Sequence, residues 1–301
     1  MNNVLLLFLC LGAGIVLRAS GRVPDNAHQT INGFIINIAL PALTLQQIHG
    51  IHLHRDLVFP ILMPWLMFAG VSASIWLIGR RLRLAAATTG ALILTAGLAN
   101  TSFVGVPMIE SFYGASYMSI GLLIDQLGTY LVLSTLGITI ACICSRGTAS
   151  VREMAQRVVT FPPLIALVLA LLLMPITYPP IVSDILQRLG GTLAPLALVS
   201  IGLQLRVGVL RGRLRPLALG LSLKLLLAPL LLAIIYLDLL GQTGNIVRVT
   251  LFESAMGPQI GGAIIATQYG LDPPLVTLMV GIGSVIAFLT LPMWWYMLQA
   301  V

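Results

Sequence analysis

The chain has 301 residues, 58% of them hydrophobic and 8% charged, with a mean hydropathy of +1.02. A soluble domain carries about a quarter charged residues, so composition excludes a soluble globular protein and indicates an all-α polytopic membrane protein. The formal charge of +7 is divided among short basic clusters between apolar runs, which is a topological pattern and not a nucleic-acid surface.

The apolar runs predict ten spanning helices near residues 3–20, 31–48, 57–79, 86–109, 117–143, 161–177, 183–205, 216–238, 246–268 and 274–298. The first follows Met1-Asn2-Asn3 without a positive n-region, so it reads as a spanning helix and not a signal peptide. Pro60 and Pro64 predict a bend in the third span. The longest polar stretch, Ser145 to Thr160, divides the chain into a five-helix repeat at 1–144, a cytoplasmic linker at 145–160 and a second five-helix repeat at 161–301.

Loop arginines orient this arrangement. With the N-terminus outside, the inward loops carry twelve: Arg18 and Arg22; Arg80, Arg81 and Arg83; Arg146, Arg152 and Arg157; Arg206, Arg211, Arg213 and Arg215. The outward loops carry Arg55, Arg188 and Arg248. Positive charge accumulates on the cytoplasmic side, so the count predicts a protein of the cell (inner) membrane with both termini outside. Five spans per half is an odd number, so the second half enters the bilayer with opposite orientation.

Two of the spans are interrupted. The fourth contains Ala99-Asn100-Thr101-Ser102-Phe103-Val104-Gly105-Val106-Pro107, and the ninth contains Ala255-Met256-Gly257-Pro258-Gln259-Ile260-Gly261-Gly262. At an offset of 156, Ala99 aligns with Ala255, Gly105 with Gly261, Ile109 with Ile265, and Tyr113-Gly114 with Tyr269-Gly270. The second and seventh spans echo each other as Leu40-Pro41-Ala42-Leu43 and Ala194-Pro195-Leu196-Ala197. Broken backbone at membrane depth is tolerated only where protein buries it or a cavity borders it. A matched pair of breaks in two halves marks a transporter binding site.

A half-helix of about 10 residues covers about 15 Å, which places each break near the midplane. Its free N–H groups and positive dipole end suit a carboxylate. Asn100, Thr101 and Ser102 add donors from the first half, and Gln259 adds one from the second. Two acids lie within spans, Asp125 in the fifth and Glu253 just before the second break. Each costs about 2.5–3.5 kcal/mol at the bilayer centre. They are candidates for a coupling proton or ion, or for carboxylates that support the broken helices. Lys224 in the eighth span is a candidate charge partner for an acid or for the substrate. His49, His52 and His54 share one outward loop, where no further residue completes a metal site. Trp65, Trp76, Trp294, Trp295 and Tyr296 are candidates for the interfacial aromatic belt. Cys10, Cys142 and Cys144 lack metal-ligand spacing, and no cofactor motif is present.

The stretches Leu40-Pro41-Ala42-Leu43, Asn100 to Pro107, Glu253-Ser254-Ala255-Met256-Gly257-Pro258 and Thr290-Leu291-Pro292-Met293-Trp294-Trp295 resemble the auxin efflux carrier family, which includes bacterial malate and malonate permeases. The resemblance implies two inverted five-helix repeats with crossed broken helices, a sodium/proton-antiporter-like fold, and a homodimer. It also implies a scaffold of helices 1, 2, 6 and 7 and an elevator-like transport part of helices 3–5 and 8–10. The substrate-binding residues it implies are Asn100, Thr101, Ser102, Gly105, Pro107, Gly257, Pro258 and Gln259, with Gln126 near a substrate-contacting glutamine of plant carriers. Gly257 departs from the family, where many members carry a second proline.

The expected function is transport of small organic anions, mono- or dicarboxylates, with a proton or sodium as candidate coupling ion. Alternatives of the same architecture are a sodium-coupled bile-acid-type symporter and a cation/proton antiporter. No Walker A motif, Gly-x-Ser-x-Gly, Gly-x-Gly-Asp or paired His–Glu zinc motif is present, so the chain is read as a non-enzyme. A sensor would carry a soluble domain beyond the spans, and the short loops here provide none.

Overall fold

The computed structural model describes residues 2–49, 58–145, 159–204 and 212–300, with residues 152, 155 and 156 in addition. The described residues are helical, without a β-strand. Among the described residues, four helices are long and apolar enough to cross a membrane: α4 (Val58–Arg81), α7 (Ile120–Cys144), α11 (Leu214–Leu239) and α14 (Pro273–Leu298). Around them lie α1 (Asn2–Ala19), α2 (Ala27–Phe34), α3 (Leu40–His49), α5 (Ala86–Ala96) and α6 (Val106–Tyr113). The second half adds α8 (Pro162–Leu172), α9 (Pro180–Gly191), α10 (Leu193–Gln204), α12 (Asn245–Ser254) and α13 (Ile260–Gln268). Most of the linker at 145–160 falls outside the described residues, as do His52 and His54.

Two differences from the expected spans have local causes. The helix expected over 161–177 stops at Leu172, shortly before Pro175, as helices commonly do ahead of a proline. The span expected over 183–205 starts earlier and divides into α9 and α10 after Gly190-Gly191. Pro195 then falls in the first turn of α10, where a missing N–H breaks no helical bond. Pro64 lies inside the continuous α4.

Packing is closest where glycines meet. α1 crosses α10 with Gly14 against Gly202, and a Cβ at either position would come within 2.3 Å of a backbone carbonyl oxygen of the other helix. Small residues let membrane helices approach this closely. The core is assembled mainly from α4, α5, α7 and α11–α14, with Leu92, Leu94, Phe252, Met256 and Met279 fully buried. Leu172 on α8 and Leu227, Leu230 and Leu231 on α11 are exposed, as lipid-facing positions would be.

Trp294 corrects the expectation of a belt residue. It is 6% exposed, and its indole Nε1 donates to the Leu225 carbonyl at 2.9 Å. Leu225 lies in a π turn at Leu223–Leu227 just ahead of Pro229, which has no N–H to offer, and the indole from α14 donates to the Leu225 carbonyl. Replacing Trp294 by phenylalanine is expected to cost about 1–3 kcal/mol through the unpaired carbonyl, read as a lower unfolding midpoint in detergent. Tyr296, by contrast, is 76% exposed and Trp76 is 50% exposed, which fits the expected aromatic belt.

Candidate binding site at the helix crossing

The two interrupted spans meet. α5 ends at Ala96, and a π turn at Thr101–Gly105 leads into α6. α12 ends at Ser254, and α13 begins at Ile260. Between these ends Ala99 and Pro258 form an antiparallel bridge. The Asn100 N–H donates to the Gly257 carbonyl at 3.0 Å, and the Gln259 N–H donates to the Thr95 carbonyl at 3.0 Å. Backbone groups released by a broken helix must find partners inside the protein when water is absent. Here each break satisfies part of the other.

Four helix ends therefore converge. The segments beginning at Thr101 and Ile260 bring positive dipole ends, and α5 and α12 bring negative ones. Lys224 answers one of the latter. Its Nζ donates to the carbonyl of Ser254, the last residue of α12, at 2.7 Å. Pro258, four residues on, cannot occupy that carbonyl. Lys224 thus serves as a cationic cap on a broken helix. Among the described residues it has no carboxylate within ion-pair distance.

Asp125 collects the hydroxyls expected to face a ligand. Thr101 Oγ1 donates to its Oδ1 at 2.6 Å, Ser102 Oγ to the same oxygen at 2.7 Å, and Gln126 Nε2 to its Oδ2 at 2.7 Å. Thr101, Ser102 and Gln126 thereby spend these donors within the protein. Asp125 ties the start of the first crossover to α7.

Glu253 is held differently. It is fully buried, and among the described residues neither carboxylate oxygen has a hydrogen-bond partner. The carboxylate lies against Gly105, where a Cβ would come within 2.4 Å of Oε2, and near Gly121, where a Cβ would come 3.1 Å from Oε1. Gly105 accommodates Glu253 by having no side chain. The only local signal for Gly121 is a glycine inside an apolar helix, four residues before Asp125.

Asn100 and Gln259 remain as the amides of the crossing. Among the described residues, Asn100 is fully buried with no partner for Oδ1 or Nδ2, and Gln259 is 4% exposed with its Oε1 unpartnered. An unsatisfied buried polar group costs about 1–3 kcal/mol, so such groups call for an explanation. Pro107 stands in the first turn of α6, where its missing N–H is tolerated. Pro258 packs against Gly283, where a Cβ would come within 2.5 Å of the proline ring.

A cavity of about 350 Å³ lies between α2 and the far end of α13, lined by His28, Gln29, Asn32, Ile36, Thr267 and Gln268. It is about 12 Å along α13 from the crossing, at 1.5 Å per residue. Partial burial holds the His28 imidazole below its usual range, against the raising effect of the Asp25 carbonyl and with a further lowering from Arg18.

Comparison with known proteins identifies the family. The family described as "Membrane transport protein" matches residues 1–295. An uncharacterized transporter of Methanothermobacter thermautotrophicus is 29% identical over 298 residues, covering 97% of this chain and 96% of the relative. An uncharacterized transporter of Methanocaldococcus jannaschii is 24% identical over 316 residues, covering 99% and 98%. A match extending over nearly the whole chain, on a helical protein with several membrane-length apolar helices, places this chain in the membrane transport protein family, that of the auxin efflux carriers, as an integral membrane transporter.

Proposed function

We propose that the chain is a secondary transporter of small organic anions, mono- or dicarboxylates, binding the carboxylate at the crossing of the two broken helices. The observation that carries this reading is the pair of amides, Asn100 and Gln259, buried with unsatisfied polar atoms where two helix N-termini converge. A carboxylate there would accept from the Asn100 amide and be favoured by both dipole ends. Glu253 is the coupling-proton candidate, because its carboxylate lacks the donors that Asp125 has. Asp125 is the structural carboxylate.

The bridge between Ala99 and Pro258 and the equal spacing of the two breaks support two inverted five-helix repeats. On the elevator reading, the cavity at His28 lies between a scaffold helix and a moving one, and is the cytoplasmic approach to the crossing. The homodimer is proposed on the family resemblance alone. Glu253 also favours a second reading, a cation/proton antiporter, since a buried acid without donors suits cation binding.

The test is uptake of radiolabelled mono- and dicarboxylates by purified protein in liposomes, with pH, sodium and voltage varied independently. At least one carboxylate is expected to accumulate. Asn100→Ala is expected to lower its uptake about 100-fold, as loss of a buried polar contact to a charged group does, with the folded yield unchanged. Movement of sodium or protons without any organic anion would establish the antiporter instead.

A further inference from the structure

At the end of the bundle where α4 stops and α5, α11 and α14 begin, a cavity of about 790 Å³ opens, lined by Arg83, Thr88, Arg213, Arg215 and Asp272 among others. It lies at the end of α5 opposite the crossing and plays no part in the function proposed above. Three arginines stand there against one acid. That acid is already engaged: Asp272 Oδ1 accepts from Arg213 Nε at 2.8 Å, and Oδ2 accepts from Thr88 Oγ1 at 2.9 Å. Among the described residues no carboxylate lies within 4 Å of Arg83 or Arg215. The cavity therefore retains two exposed guanidinium groups without an anionic partner.

The backbone presents these groups in a fixed way. Arg83 and Asp272 are the two non-glycine residues with positive φ among the described residues, at 53° and 40°. At Arg83 the turn is closed by the Leu84 N–H donating to the Gly79 carbonyl at 2.9 Å, a helix-ending geometry that usually employs glycine. An arginine there holds its side chain at the cavity mouth. Non-glycine residues in this region of φ persist where surrounding structure fixes them, and they concentrate at functional sites. The starts of α5, α11 and α14 add three positive dipole ends to the same wall.

We propose that this cavity binds a phosphate group, with Arg83 and Arg215 as its ligands and Arg213 fixed by Asp272 as part of the wall. The guanidinium fork matches phosphate oxygens in pairs. The site lies at the membrane face that carries the basic loops, where pockets between helices take anionic lipid headgroups. The phosphate therefore belongs either to a phospholipid headgroup or to a soluble phosphate.

Full-length protein, delipidated in a neutral detergent, is titrated with phosphatidylglycerol, with phosphatidylcholine and with inorganic phosphate. Bound lipid is counted by native mass spectrometry, and phosphate binding is read as a shift of the unfolding midpoint. Wild type is expected to bind phosphatidylglycerol, and Arg83→Gln/Arg215→Gln to weaken that binding about 30-fold, from about fivefold for each guanidinium–phosphate hydrogen bond lost. Arg22→Gln, a basic loop residue outside the cavity lining, is expected to bind as wild type does. A saturable phosphate shift without lipid binding, abolished in the double variant, assigns the site to soluble phosphate. Lipid retention that the double variant leaves unchanged, with no phosphate shift, overturns the proposal.

Discussion

Glu253→Gln is expected to abolish the response of transport to a pH gradient while preserving the fold. Coupling one proton allows about tenfold accumulation of the anion per unit of pH difference, since one unit corresponds to about 1.4 kcal/mol. Uptake in the parent protein should therefore rise as the substrate side is made more acidic. In the glutamine variant it should be flat, because an amide of nearly the same shape carries no exchangeable charge. The surrounding glycines, Gly105 and Gly121, leave room for either group.

Asp125→Asn supplies the contrast. Its Oδ1 can still accept from Thr101 and Ser102, but its new amide meets the Gln126 Nε2 donor. One hydrogen bond is lost, at a cost of about 0.5–1.5 kcal/mol, and the pH response should persist. Measuring accumulation against pH gradient in both variants decides the roles. A flat response in Asp125→Asn together with a retained one in Glu253→Gln would exchange them.

The second large effect is expected at Gly262. A Cβ there would stand 2.0 Å from the Leu94 carbonyl oxygen and 2.9 Å from its carbon, both backbone atoms of α5. Neither atom can yield without moving the helix whose end accepts from Gln259. Gly262→Ala should destabilise the crossing by about 3 kcal/mol, the upper end of ordinary overpacking. Gly261→Ala adds the same methyl one residue earlier, where it meets chiefly the flexible Leu133 side chain at 2.9 Å. That variant should cost less than about 1 kcal/mol. The two can be compared by unfolding midpoint in detergent. Equal midpoints would contradict the close approach of α13 to α5.

Lys224 and Trp294 show how far the sequence could be read. Both were visible as unusual side chains in apolar helices, and both were given roles by residue type: a charge partner and a belt aromatic. The structure gives each a backbone carbonyl four residues ahead of a proline, Ser254 before Pro258 and Leu225 before Pro229. The proline four residues on was legible from the sequence. The donor to the carbonyl was not, because it comes from 30 residues away for Ser254 and 69 for Leu225.

By itself the sequence determined the membrane character, the two matched breaks and the buried acids, because hydropathy, proline and glycine act locally. The tertiary structure decided which polar groups are consumed and which stay available. Thr101, Ser102 and Gln126 looked like ligand donors beside Asn100, yet they donate to Asp125 on α7. Asn100 and Gln259 retain unsatisfied polar atoms, and Glu253 retains a carboxylate without donors. The physical reason is that a buried polar group's partner is set by proximity in space. Local pattern fixes where each helix breaks, but only packing brings two breaks together at Ala99 and Pro258.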